Sequence, residues 1–182
     1  MVNEELLKAA YHLVCLLDKQ ADNLLPQEIV DVVKLHGKLA VGSALIPVPG
    51  ADVAAGAANI WAMYIRINGK TGLEFKENVM KTIGSGVATN LVGYVAMSGV
   101  ASAMKFIPGI GSFGGALIMS ASLYAVTLAS GYVYLKALCA LAERKGANIS
   151  GDDLKSAIDE LLAKKDVIKD FINQAKKEYK SQ

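Results

Sequence analysis

Charge is what the middle of this chain lacks. Between Thr82 and Leu135 there is one formally charged side chain, Lys105, although a fifth of all residues are charged. A stretch that long with one charge is too apolar to face water alone, so it must be covered by protein or by lipid. Net charge is only +2, which argues against nucleic acid as a partner. The two cysteines, Cys15 and Cys139, sit in leucine-rich runs without metal-ligand spacing, so they read as buried free thiols and weakly favour a reducing compartment. The two histidines, His12 and His36, lie far apart with no motif around them, and each reads as an ordinary helical histidine. No constellation for catalysis emerges, and no cofactor or metal is expected. The amino terminus offers no secretory signal, because Glu4 and Glu5 stand where a basic segment belongs.

The residues that are present give an all-α pattern. Leu6, Leu7, Leu13, Val14 and Leu17 predict a helix over about 3–20, and Pro26 suits the first turn of the next. Pro47 and Pro49 end that second helix near Ile46 and allow a third from about Gly50. Asp52 then falls in a first turn, where a carboxylate meets free N–H groups and the positive helix end. The rival reading is a buried functional carboxylate. Asn68-Gly69 reads as the left-handed cap of this helix. A mixed-charge turn follows, and the charge then vanishes into a hairpin over 82–135 that bends at Pro108, Gly109 and Gly111. Gly146 and Asn148 predict a turn, and Ser150 with Asp153 a capping box. Two amphipathic helices close the chain. One carries Leu154, Ile158, Leu161 and Leu162 on a single face, the other Val167, Ile168, Phe171, Ile172 and Ala175 opposite lysines.

The expected architecture is therefore a multi-helix bundle organised around an apolar helical hairpin with Pro-Gly corners. It divides into N-terminal amphipathic helices (1–34), an apolar core (35–145) and C-terminal amphipathic helices (146–182). The hairpin arms, 82–107 and 108–135, would reach roughly 39 and 42 Å as helices. Both exceed the bilayer's hydrocarbon core of about 30 Å. If both prolyl corners are tips, Lys34, Lys38, Arg66, Lys70, Lys76, Lys81, Lys136, Arg144 and Lys145 fall on one side, with both termini cytoplasmic. The alternative is a soluble bundle with the same hairpin inside. Small residues at four-residue spacing, such as Gly84 and Ala88 or Ala121, Ala125 and Ala129, permit close helix packing or self-association in either setting. Asn59 and Asn90 are candidates for buried helix–helix hydrogen bonds. Trp61, Tyr64 and Tyr94 read as core or interfacial aromatics, or less simply as a pocket lining.

Two corners, Ile46–Asp52 (IPVPGAD) and Ile107–Gly111 (IPGIG), in this order and separated by an apolar helix that ends near Asn68-Gly69, resemble domain of unknown function family 697. The likeness covers about residues 35–140 and extends to Ala129–Gly131. Asn68 stands where that family commonly has Tyr. The resemblance implies a helical, membrane-associated module often linked to GTPases. The chain itself carries no phosphate-binding loop, so a GTPase would be a separate partner. Taken together, the residues suggest a small membrane-associated structural or adaptor protein held by its apolar hairpin and touching lipid and a protein partner. The alternative is a pore-forming effector that is soluble until it meets lipid.

Overall fold

A computed structural model of the chain describes residues 27–43, 51–97, 113–146 and 148–180. Every regular element among these residues is a helix, so the fold is all-α: α1 (Gln27–Ser43), α2 (Ala51–Thr71), α3 (Glu77–Met97), α4 (Phe113–Lys145), α5 (Gly151–Leu162) and α6 (Lys165–Lys180). The expected first helix, and the corners at Pro47, Pro49, Gly50, Pro108, Gly109 and Gly111, lie outside the described residues. The boundary expected at 34/35 falls inside α1, which runs unbroken across it.

The centre of the bundle is α4. All its residues from Ser120 to Leu135 are buried. A window of α4 is apolar and long enough to cross a membrane, yet 78% of that window is covered by the other helices. The first arm of the expected hairpin is different. On α3, Thr82, Ser85, Gly86, Thr89 and Asn90 are exposed while Ile83, Val87 and Leu91 are buried, the division of an ordinary amphipathic helix.

Cross-helix contacts fix the directions of the four long helices. Glu28 meets Lys70 and His36 meets Asn59, so α1 and α2 are antiparallel. Asn68 meets Met80 and Trp61 backs onto Gly84, so α2 and α3 are antiparallel. Gly37 faces Tyr124 and Gly131 faces Val33, so α4 opposes α1. Gly56 faces Leu123 and Asn68 meets Tyr134, so α4 runs with α2. This up-and-down order brings the end of α1, the start of α2, the end of α3 and the start of α4 to one pole.

The sequence places almost no charge there. Beyond Lys38 on α1, beyond Lys81 on α3 and before Arg66 on α2 or Lys136 on α4, the helices carry only Asp52, in the first turn of α2. The remaining ionic side chains of these helices collect at the opposite end. There α5 packs Leu154, Ile158 and Leu162, and α6 packs Ile168, Phe171 and Ile172, onto the core.

Local signals account for the joints, with two departures. The expected capping box forms: Asp153 N donates to Ser150 Oγ at 3.1 Å and Ser150 N to Asp153 Oδ2 at 3.1 Å. A 2.6 Å contact from Lys145 Nζ, with the Ser150 bonds, holds the Asp153 carboxyl at about 2. Gly146 takes a left-handed φ of 61° at the end of α4. The left-handed glycine after α2 is Gly72, at φ 72°, and not Gly69. The helix runs on to Thr71, and Leu73 N then returns to Asn68 O at 3.2 Å. Val167, expected on the packed face of α6, is 48% exposed, because Ile168, Phe171 and Ile172 define a narrower stripe.

Candidate functional site

Three groups of polar and aromatic side chains link the helices of the bundle. The first is the bridge between α1 and α2. Asn59 Nδ2 donates to the His36 backbone oxygen at 2.8 Å, which turns its Oδ1 toward His36 Nδ1 at 2.7 Å. That orientation makes Nδ1–H the donor and leaves Nε2 with a lone pair in the neutral ring. Nε2 is buried and meets no partner among the described residues. Protonation would put an N–H there with no acceptor. Burial pushes the His36 pKa below its ordinary value, the Asn59 bond opposes this, and the nearby Arg66 adds to the lowering. Asn59 thus makes a helix–helix contact that ties α2 to the second helical histidine.

Two consequences can be measured. Asn59→Leu is expected to lose about 1–3 kcal/mol in chemical denaturation, because His36 Nδ1–H is left buried without an acceptor. The second concerns pH. The folded chain binds the His36 proton less readily than the unfolded chain does, so stability is full above the unfolded pKa of about 6.5 and falls as pH drops through and below it. His36→Gln should flatten that part of the stability–pH curve.

The second group is buried at the charged end. Tyr64 and Tyr134 stack with ring centroids 3.9 Å apart and planes 10° from parallel. Tyr134 OH donates to Asn68 Oδ1 at 2.6 Å, and Asn68 Nδ2 reaches Met80 Sδ at 3.2 Å. Tyr64 OH donates to the Ser130 backbone oxygen at 3.2 Å. This closed set ties α2, α3 and α4 together. Of this group the sequence marks Tyr64 as an aromatic and Asn68 only as part of a cap; Tyr64 belongs to the core rather than to a pocket wall.

The third group is at mid-height. Half-buried Trp61 packs its backbone against Gly84, and Lys81 Nζ lies 4.8 Å from the centre of its ring. Among the described residues no group of three or more His, Cys, Asp or Glu side chains could hold a metal ion.

The other candidates fall elsewhere. Asp52 lies in the first turn of α2, and its side chain is outside the described residues, as is that of Tyr94. Asn90 was expected to be buried, but it is exposed and donates to Gly86 O of its own helix at 2.9 Å. It sits one helical step outside the Val87–Leu91 stripe. Cys139, expected to be buried, is exposed.

No known family profile and no solved structure matches the chain. A curated relative does. Over 107 residues the chain is 32% identical to magnetosome membrane protein 22 of Magnetospirillum gryphiswaldense, a stretch equal to 58% of this chain and 55% of the relative. The chain thus spans about half the length of the curated relative it matches.

Proposed function

We propose that this is a membrane-associated helical protein with a structural or adaptor role and no catalytic chemistry of its own. The observation that carries the reading is α4, an apolar helix of membrane-crossing length at the centre of a bundle whose charged side chains gather at one end. The likeness to a protein named for the magnetosome membrane supports it. The adaptor half assigns a protein partner, a GTPase by the resemblance to family 697, to the charged end formed with α5 and α6. The apolar helices attach to lipid, with the termini on the cytoplasmic side.

One observation favours a second reading. Because 78% of the apolar window of α4 is covered by other helices, the same bundle could stay soluble and expose α4 only at a bilayer, as a pore-forming effector does. Membrane fractionation of the full chain expressed alone, followed by dye release from vesicles, separates the two. The anchored adaptor is expected to pellet with membranes through a high-salt wash and to leave vesicles sealed. Recovery in the soluble pool with dye release points to the effector. A chain that stays soluble and ignores vesicles overturns both.

A further inference from the structure

Resting on that membrane reading, we propose how the contact is made: the charge-poor pole of the α1–α4 bundle dips end-on into one leaflet of an anionic bilayer while α4 stays sheathed. Three independent features of the pole carry this.

The first is its surface. Among the described side chains, the exposed ones there are Leu39, Ala54, Thr89 and Asn90, all uncharged. The second is that Thr89 and Asn90 each already give one donor to a backbone carbonyl of their own helix, while the second N–H and the Oδ1 of Asn90 still need partners. Thr89 Oγ1 donates to Ser85 O at 2.9 Å and Asn90 Nδ2 to Gly86 O at 2.9 Å, each one turn back along α3. Just below them Thr82 Oγ1 donates to Asn78 O at 2.9 Å. Donors already bonded within the helix lose little on leaving water, which is how such residues are tolerated in lipid. The third is the rim, which exposed Lys38 marks at the foot of the pole; exposed Arg66 and Lys81 stand about 10–14 Å further from it along the helices. A cation at that level matches anionic phosphate at the headgroup boundary.

Length decides between dipping and crossing. The His36–Asn59 contact sets Lys38 level with about residue 57 of α2. From there α2 rises about 9 Å to Ala51, and α3 rises about 14 Å from Ala88 to Met97. That depth lies within a single leaflet and is less than half of the roughly 30 Å core. Asp52 falls within this depth, at the positive end of α2, and is the one discordant charge on the described helices.

The test uses the full chain and vesicles of mixed zwitterionic and anionic phospholipid. Ala54→Lys, Thr89→Lys and Asn90→Lys each alter an exposed position, and their folding is checked by thermal melting. Each is expected to lower vesicle binding about tenfold or more, while Ser156→Lys at the charged end leaves it unchanged. In a Cys15→Ser, Cys139→Ser background, a polarity-sensitive dye on Asn90→Cys should shift to the blue and be quenched by brominated lipid. The same dye on Ser156→Cys should not respond.

Wild-type binding that ignores the pole lysines overturns this geometry and leaves the membrane reading standing. A dye on Asn90→Cys that is reached by a quencher sealed inside the vesicle also overturns it, in favour of crossing. A dimer in lipid-free solution that Asn90→Lys splits, with vesicle binding unaltered, assigns the pole to a second copy. A wild-type chain that never binds vesicles removes the membrane reading itself.

Discussion

Tyr134→Ala is expected to cost about 3–5 kcal/mol, the range for deleting a buried aromatic from a packed core. Tyr134 is fully buried on α4, at the level where α2 and α3 both press on it. Its ring is stacked on Tyr64, so truncation removes one half of an aromatic pair as well as buried area. Its hydroxyl is also the donor that Asn68 Oδ1 accepts, and Asn68 is 5% exposed. Tyr134→Phe isolates that second contribution. The ring and its stacking survive, Asn68 Oδ1 loses its donor, and about 1–3 kcal/mol should go. Urea denaturation followed by circular dichroism measures both variants. If the Phe variant unfolds at the wild-type midpoint, the Tyr134–Asn68 bond contributes nothing net. If the Ala variant does so too, α4 is not the centre of the fold.

This pair also shows where the sequence stops being informative. Tyr64 and Tyr134 are seventy positions apart, and no periodic pattern links them. Each looks like one more apolar residue on its own helix, and only the assembled bundle brings their rings together. Signals that live within a turn or two were legible. The all-α class came from periodicity, and the capping box from a serine three residues before an aspartate. Gly146 was marked by the composition of its turn. The cap after α2 was placed three residues early, because Asn68-Gly69 satisfies the same rule that Gly72 does, and nothing local says that α2 persists through Thr71. Asn90 and Val167 failed for a shared reason. Apolar context suggests burial, but one helical step of 100° decides which side of the stripe a residue takes. Cys139 is a third case, exposed within the leucine-rich end of α4 where Leu138 and Leu141 turn inward.

Small residues permit close helix approach, but only the neighbours say which of them is essential. Gly131 on α4 is one of the two described glycines where an added Cβ would come closer than 3.0 Å to a neighbour. A Cβ built there would meet Val33 Cγ1 at 2.9 Å and Cγ2 at 3.2 Å. Valine is β-branched and held in one rotamer on a helix, so it cannot swing aside. The strain must pass to α1 as a whole, and with it to the His36–Asn59 bridge. Gly131→Leu, which also crowds Met63 Cε, is expected to cost about 3 kcal/mol. Exposed Gly86 on α3 is the contrast, since a Cβ there meets nothing within 4 Å. Gly86→Ala should stabilise by about 0.5–1 kcal/mol through helix propensity alone. Gly131→Ala sets the same propensity gain against the clash. If the clash dominates, Gly131→Ala destabilises by itself and Val33→Ala in the same chain restores part of the loss. Thermal melts of the two single variants and the double measure this coupling. A double variant whose loss equals the sum of the singles would mean that α1 does not pack against α4 at this level.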